Sequence, residues 1–211
     1  DENDLILGFS SPEKTSKSLD NDPVGSIFEY LLIENFIGEP TVLIKSKELK
    51  AIGGYLQPKG MLAEDYPTML ELAKRGEFKF INKTLANYRF HGSQMTNIHI
   101  VDMTKKDSLF VINFFRELPD NFKALAKWKE KELRLYWGEK IARSYFSLGR
   151  RLAYTNKADE AKQAFKTAFA KSNKFKTKAI SFLGLFSVAL GLNVEWMRVF
   201  AGNSVSLSIN E

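Results

Sequence analysis

The chain has 211 residues, of which 44% are hydrophobic, 13% aromatic and 27% charged, a balance that suits one domain or two small ones and excludes disorder over the whole length. It has no cysteine and only two histidines, His91 and His99, which excludes a disulfide framework, a thiolate zinc site and a histidine-rich metal cluster. The net charge of +6 is local, with −4 in residues 1–104, +11 in 105–178 and −1 in 179–211; a concentrated basic segment reads either as a surface for an anionic partner or as a solvated lysine-rich helical face.

The first residues, DENDLILGFSS, lack the basic and apolar regions of a secretory signal. There is no initiator methionine, and the chain is expected to begin inside a longer protein. Residues 10–23, with Pro12 and Pro23 and no apolar periodicity, read as a loop. Residues 24–35 repeat Ile27, Leu31 and Phe28, Leu32 at helical spacing and predict a mostly buried helix. TVLIK (41–45) follows Pro40, is β-branched and apolar, and predicts a strand. SKELKAIGGY predicts a short helix that starts at Ser46 and ends at Gly53-Gly54.

Residues 64–75 predict a clear helix, with Asp65 near its N-cap, Pro67 in its first turn, Met69, Leu70, Leu72 and Ala73 on its buried face, and Gly76 after it. EFKFIN (77–82) alternates with period two, and LANYRF (85–90) also reads as extended. From about 104 onward only helices are predicted: 104–117, 122–155 with a break allowed, 157–172 and 176–192. The expected division is therefore 1–103 and 104–211. Within the second part, residues 140–172 place small residues at Ala142, Gly149, Ala153, Ala161 and Ala168 between bulky ones. This pattern resembles a tetratricopeptide-type helical hairpin, and an ordinary helical hairpin fits it as well. Residues 179–194 hold no charge and reach about 24 Å as a helix, short of the roughly 30 Å hydrocarbon core. They read as a buried last helix or as an interfacial helix lying on a membrane.

No glycine-rich phosphate loop, G-x-S-x-G or H-E-x-x-H is present. Singly, Glu64 and Asp65 read as helix-capping anions, His91 as a surface histidine and Arg89 as an ion-pair partner. Their order adds a second meaning. Ile52-Gly53-Gly54-Tyr55, then Glu64-Asp65-Tyr66, then Leu85-Ala86-Asn87-Tyr88-Arg89-Phe90-His91 with Ser93 and Thr96 resemble the acceptor-side half of the inverting, family-two glycosyltransferases of the GT-A fold, over roughly residues 24–97.

The resemblance implies an α/β fold, a partial Rossmann-like half with few strands, followed by an all-α region. It implies transfer of a sugar from a nucleotide-sugar donor to a glycan or glycolipid acceptor, in bacterial surface-polysaccharide synthesis. Asp65 would be the catalytic base; Glu64, Tyr66 and Gly54 would bind the acceptor; His91 would lie near the donor diphosphate, and Arg89 would pair with that diphosphate or brace the fold. A divalent metal, Mg²⁺ or Mn²⁺, is expected of the full-length enzyme, with His91 as its candidate ligand here. The family's donor half ends a hydrophobic strand in D-x-D. Asp1-Glu2-Asn3-Asp4 follows no such strand, so the chain is expected to start after that half and to be inactive alone. The alternative is a non-catalytic helical module that docks a protein partner or an anionic membrane surface through 105–198. The basic segment holds no recognition motif for nucleic acid, which is not expected as a partner. The expected location is cytoplasmic, on the inner face of the membrane if peripheral.

Overall fold

The computed structural model describes residues 24–62, 65–81, 83–89, 91 and 94–194. The chain is all-α rather than α/β, which corrects the expected Rossmann-like half. Among the described residues the β structure is one antiparallel pairing of β1 (Val24–Gly25) with β2 (Phe78–Lys79), in the register Val24 to Lys79 and Gly25 to Phe78. Two residues a side cannot form the layer on which a parallel α/β core depends.

The strands expected elsewhere do not form. Glu39–Thr41 make a 3-10 turn with Pro40 in it, Val42–Lys45 are irregular, and Leu43 is 95% exposed. Residues 85–89 are irregular and exposed. A run of β-branched or aromatic residues becomes a strand only where a partner takes up its N–H and C=O groups. TVLIK and residues 85–89 have no such partner strand among the described residues.

The helices are α1 (Phe28–Leu31), α2 (Ser46–Ala51), α3 (Asp65–Ala73), α4 (Met95–Ile98), α5 (Ile100–Glu117), α6 (Asp120–Leu125), α7 (Glu130–Tyr154), α8 (Ala158–Lys171) and α9 (Phe175–Ala189). The helix expected over 24–35 shrinks to the single turn of α1, because its first residues pair with Phe78 and Lys79 instead. The break allowed in 122–155 falls at Ala126–Lys129. There Glu132 reaches back to accept from the Lys129 N–H at 2.9 Å, one arm of a capping box that starts α7.

Two compact units interleave along the chain. One takes residues 24–90 and 109–133; the other takes 91–108 and 134–194. In the first, α1 packs on α3, and Leu31, Leu32, Met69 and Leu70 are essentially removed from water. The Phe28 ring meets Phe114 of α5 at 6.3 Å and Phe122 of α6 at 6.1 Å between centroids. Tilted aromatic pairs at this spacing add to the burial of their area. Lys127 pairs with Glu29 across 3.1 Å and Arg116 with Glu130 across 2.8 Å.

In the second unit the core gathers Phe146, Ala161, Phe165, Ala168, Ile180 and Val194. The predicted helical hairpin is present as α7 and α8. Asn156, at φ 59°, follows the end of α7; its N–H donates to Ala153 O at 3.2 Å, and the Lys157 N–H donates to Leu152 O at 2.8 Å. This is a Schellman ending with asparagine at the left-handed position. Ala161 and Ala168 are buried in the core of this unit. Glu139 of α7 binds the next turn: its Oε2 accepts from Ser172 Oγ at 2.7 Å and from the Asn173 N–H at 3.1 Å. Burial works to raise the Glu139 pKa, but hydrogen bonds from Thr177, Ser172 and the N–H groups of Asn173 and Lys174 outweigh it and hold the carboxyl below its ordinary range.

Candidate functional site

Helix α3 begins at Asp65, and an anion in a first helical turn is favoured by the unpaired N–H groups there. Pro67 is tolerated in that turn because its missing N–H would have had no helical partner. The Asp65 side chain is half-buried, and Asn35 Nδ2 donates to its Oδ2 at 2.9 Å. Asn35 is itself held in place, since its Oδ1 accepts from the Ile37 N–H at 3.4 Å. Asn35 was not legible as a site residue: it lies thirty positions upstream, and no local pattern marks it.

Tyr66 points the other way. It is 3% exposed, and its hydroxyl donates to the Leu31 carbonyl at 2.6 Å. That bond makes it a clamp between α3 and α1. Glu64, the other acceptor-binding candidate of this motif, lies outside the described residues, as do Phe90 and Ser93.

The Gly53-Gly54 turn joins the same neighbourhood. Both glycines have φ above +90°, a region that side chains disfavour. The Gly53 N–H donates to Lys50 O and the Gly54 N–H to Leu49 O, closing α2 with a Schellman motif. Two residues on, the Leu56 N–H donates to Thr68 Oγ1 at 2.9 Å, with Thr68 fully buried in α3. The turn that carries Gly54 is thus tied to the helix that carries Asp65. Ile52 and Leu56 also line an open depression of about 520 Å³ with Ala51, Glu71, Lys74, Arg75, Pro119 and Phe122. Asp65 is not among its lining residues. Six residues of helix separate Asp65 from Glu71, about 9 Å along the axis.

Arg89 lies in the exposed stretch 83–89 of the first unit. His91 belongs to the second unit, where it is half-buried. Its backbone carbonyl accepts from Asn97 Nδ2 at 3.2 Å and from the Gln94 N–H at 3.3 Å, which knits the chain into α4. Among the described residues no three His, Asp or Glu side chains gather closely enough to hold a metal ion. His91 belongs to no such group among the described residues. No described helix is long and apolar enough to cross a membrane.

No family model, no curated protein and no solved structure matches this chain.

Proposed function

We propose that residues 24–97 serve the acceptor side of an inverting sugar transfer, with Asp65 as the base. The observation that carries this reading is the Asn35–Asp65 contact. It fixes a half-buried carboxylate by one oxygen at the start of a helix, while among the described residues Oδ1 accepts no hydrogen bond. Support also comes from the order of the motifs around Gly53-Gly54, Asp65 and Tyr88-Arg89, and from the bond that ties the glycine turn to α3. The chemistry asks for a positioned carboxylate and not for a particular sheet.

In the step proposed, an acceptor hydroxyl donates its hydrogen bond to Asp65 Oδ1. As its oxygen bonds to the anomeric carbon from one face, the bond from that carbon to the nucleotide diphosphate breaks on the other. The hydroxyl proton ends on the carboxylate, and the anomeric configuration inverts. Asn35 keeps the carboxylate aimed throughout. No step passes through a metal ion.

The test is Asp65→Asn in the protein encoded by the complete reading frame, assayed with a panel of uridine and guanosine diphosphate sugars. Loss of a positioned general base should lower kcat by about 10²–10⁴-fold and leave the circular dichroism spectrum unchanged. Near-normal turnover by the variant removes Asp65 from this role. Absence of transfer from every donor by the unaltered protein removes the enzymatic reading.

A further inference from the structure

Helix α9 turns its bulk outward. Its buried residues are Thr177, Ile180, Ser181, Gly184 and Ser187, mostly small and partly polar. Phe175, Phe182, Leu183, Phe186 and the C-capping Leu190 are exposed, Phe175 by 87% and Phe186 by 53%. At about 100° per residue these five fall within an arc of about 100°. The inward face is small because Phe165 of α8 presses on it: a Cβ on Gly184 would meet that ring at 2.6 Å. The outward face is a stripe of aromatic and leucine side chains of the kind that marks an interaction surface.

The charges around the stripe select its partner. Residues 161–194 contain six lysines and no Asp or Glu. Lys176 and Lys178 flank the stripe on its two sides by helical angle. Lys171, Lys174 and Lys176 are exposed beside Phe175, and Lys178 Nζ lies 5.5 Å from the centroid of the half-exposed Phe169 ring. An apolar strip with cations at its border complements the surface of a bilayer that carries negative head groups.

We infer that the outward face of α9 is a peripheral membrane-docking surface, which lays Phe175, Phe182, Leu183, Phe186 and Leu190 into the head-group boundary of an anionic bilayer while Lys171, Lys174, Lys176 and Lys178 meet the lipid phosphates. This surface lies wholly in the second unit and does not depend on the role given to Asp65.

The experiment is co-sedimentation of the whole chain with vesicles of phosphatidylcholine alone and of phosphatidylcholine with a quarter phosphatidylglycerol, at low and high sodium chloride. Anionic vesicles should bind at least about tenfold more tightly than neutral ones at low salt, and this advantage should shrink at high salt. Phe182→Ser with Phe186→Ser, and separately Lys174→Glu with Lys176→Glu, should each weaken binding by about tenfold or more. All four positions lie on the outward or flanking surface, so the far-ultraviolet circular dichroism should be retained; if the phenylalanine pair unfolds the chain, the lysine pair and the salt series still decide. Absence of binding to either vesicle, equal binding to both, or binding indifferent to the lysine pair overturns the assignment. A concentration-dependent dimer that the phenylalanine pair abolishes, without vesicle binding, gives the face to a second copy of this chain and overturns it too.

Discussion

The ring of Phe165 lies so close to Gly184 that a Cβ built on the glycine would sit 2.6 Å from its Cε1 and 2.7 Å from its Cζ. Phe165 is fully buried, and its ring also lies close to Gly149 of α7, where a Cβ would come to 3.0 Å. Glycines from two helices thus make room for one aromatic ring. The closest approach explains why α9 keeps its small residues inward and its large ones outward.

Gly184→Ala should destabilise the chain by about 1–3 kcal/mol, because a buried ring cannot move away from an added methyl group without displacing its neighbours. Gly149→Ala should cost less, since a shift of a few tenths of an ångström relieves it and alanine gains about 0.5–1 kcal/mol of helix propensity. Guanidinium unfolding of both variants checks the ranking, and Phe165→Leu should relieve much of the Gly184→Ala loss.

Glu139 should make stability depend on acid pH. Its folded carboxyl lies below the ordinary value of 4.5, so folding favours the charged form. The resulting stability is fully present above the unfolded pKa and is lost as pH falls through the folded one. Glu139→Gln should remove this component and flatten the decline of the melting temperature below about pH 4.5. Glu139→Ala should cost about 1.5–3 kcal/mol at neutral pH, the range for hydrogen bonds to a charged group.

Tyr66→Phe should keep the ring in place and lose the bond to the Leu31 carbonyl. A loss of about 1–2 kcal/mol is expected, because a buried carbonyl is left without its donor. If Tyr66 instead contacts an acceptor, the same change should raise the KM for acceptor with stability intact. Chemical denaturation together with initial-rate measurements separates the two.

Asn35→Ala should act through Asp65. In a protein active in sugar transfer, kcat should fall severalfold to tenfold while the KM for donor stays the same, because the carboxylate keeps its chemistry and loses its aim. Asn35→Asp, which places a second carboxylate against Asp65, should impair turnover further and recover it as pH falls and the pair shares a proton. A variant with unchanged kcat at every pH would show that Asn35 is only structural.

Gly54→Ala should destabilise the turn by about 1–2 kcal/mol, since its φ of 94° suits only glycine. Hydrogen exchange should report the loss first at the Leu56 amide, whose bond to Thr68 depends on the path of that turn.

Much of the helical plan was legible from local pattern. The approximate spans of α3, α8 and α9 and the turn at Gly53-Gly54 follow from periodicity and capping chemistry, which act over a few residues. Of the expected strands, the one in EFKFIN was legible and forms at Phe78–Lys79, whereas TVLIK and LANYRF have the composition of strands but, among the described residues, no partner strand. Sheet formation depends on a partner that the segment does not contain, so the α/β expectation failed there. In the candidate site, Asp65 at a helix start and the glycine turn could be read from residue type. The hydroxyl of Tyr66 on Leu31 and the amide of Asn35 on Asp65 could not, since each joins positions thirty or more residues apart.

The amino-acid order alone determined the approximate spans of α3, α8 and α9, the concentration of cations after residue 104 and the uncharged run from 179 to 194. Only the tertiary structure decided which side of that run meets the protein. Phe165 occupies the space where α9 approaches α8, so α9 can pack only through Gly184 and its small neighbours, and its phenylalanines are left facing out. Close packing at one buried ring settles an orientation that hydrophobicity, which makes both faces look suited to the core, leaves open.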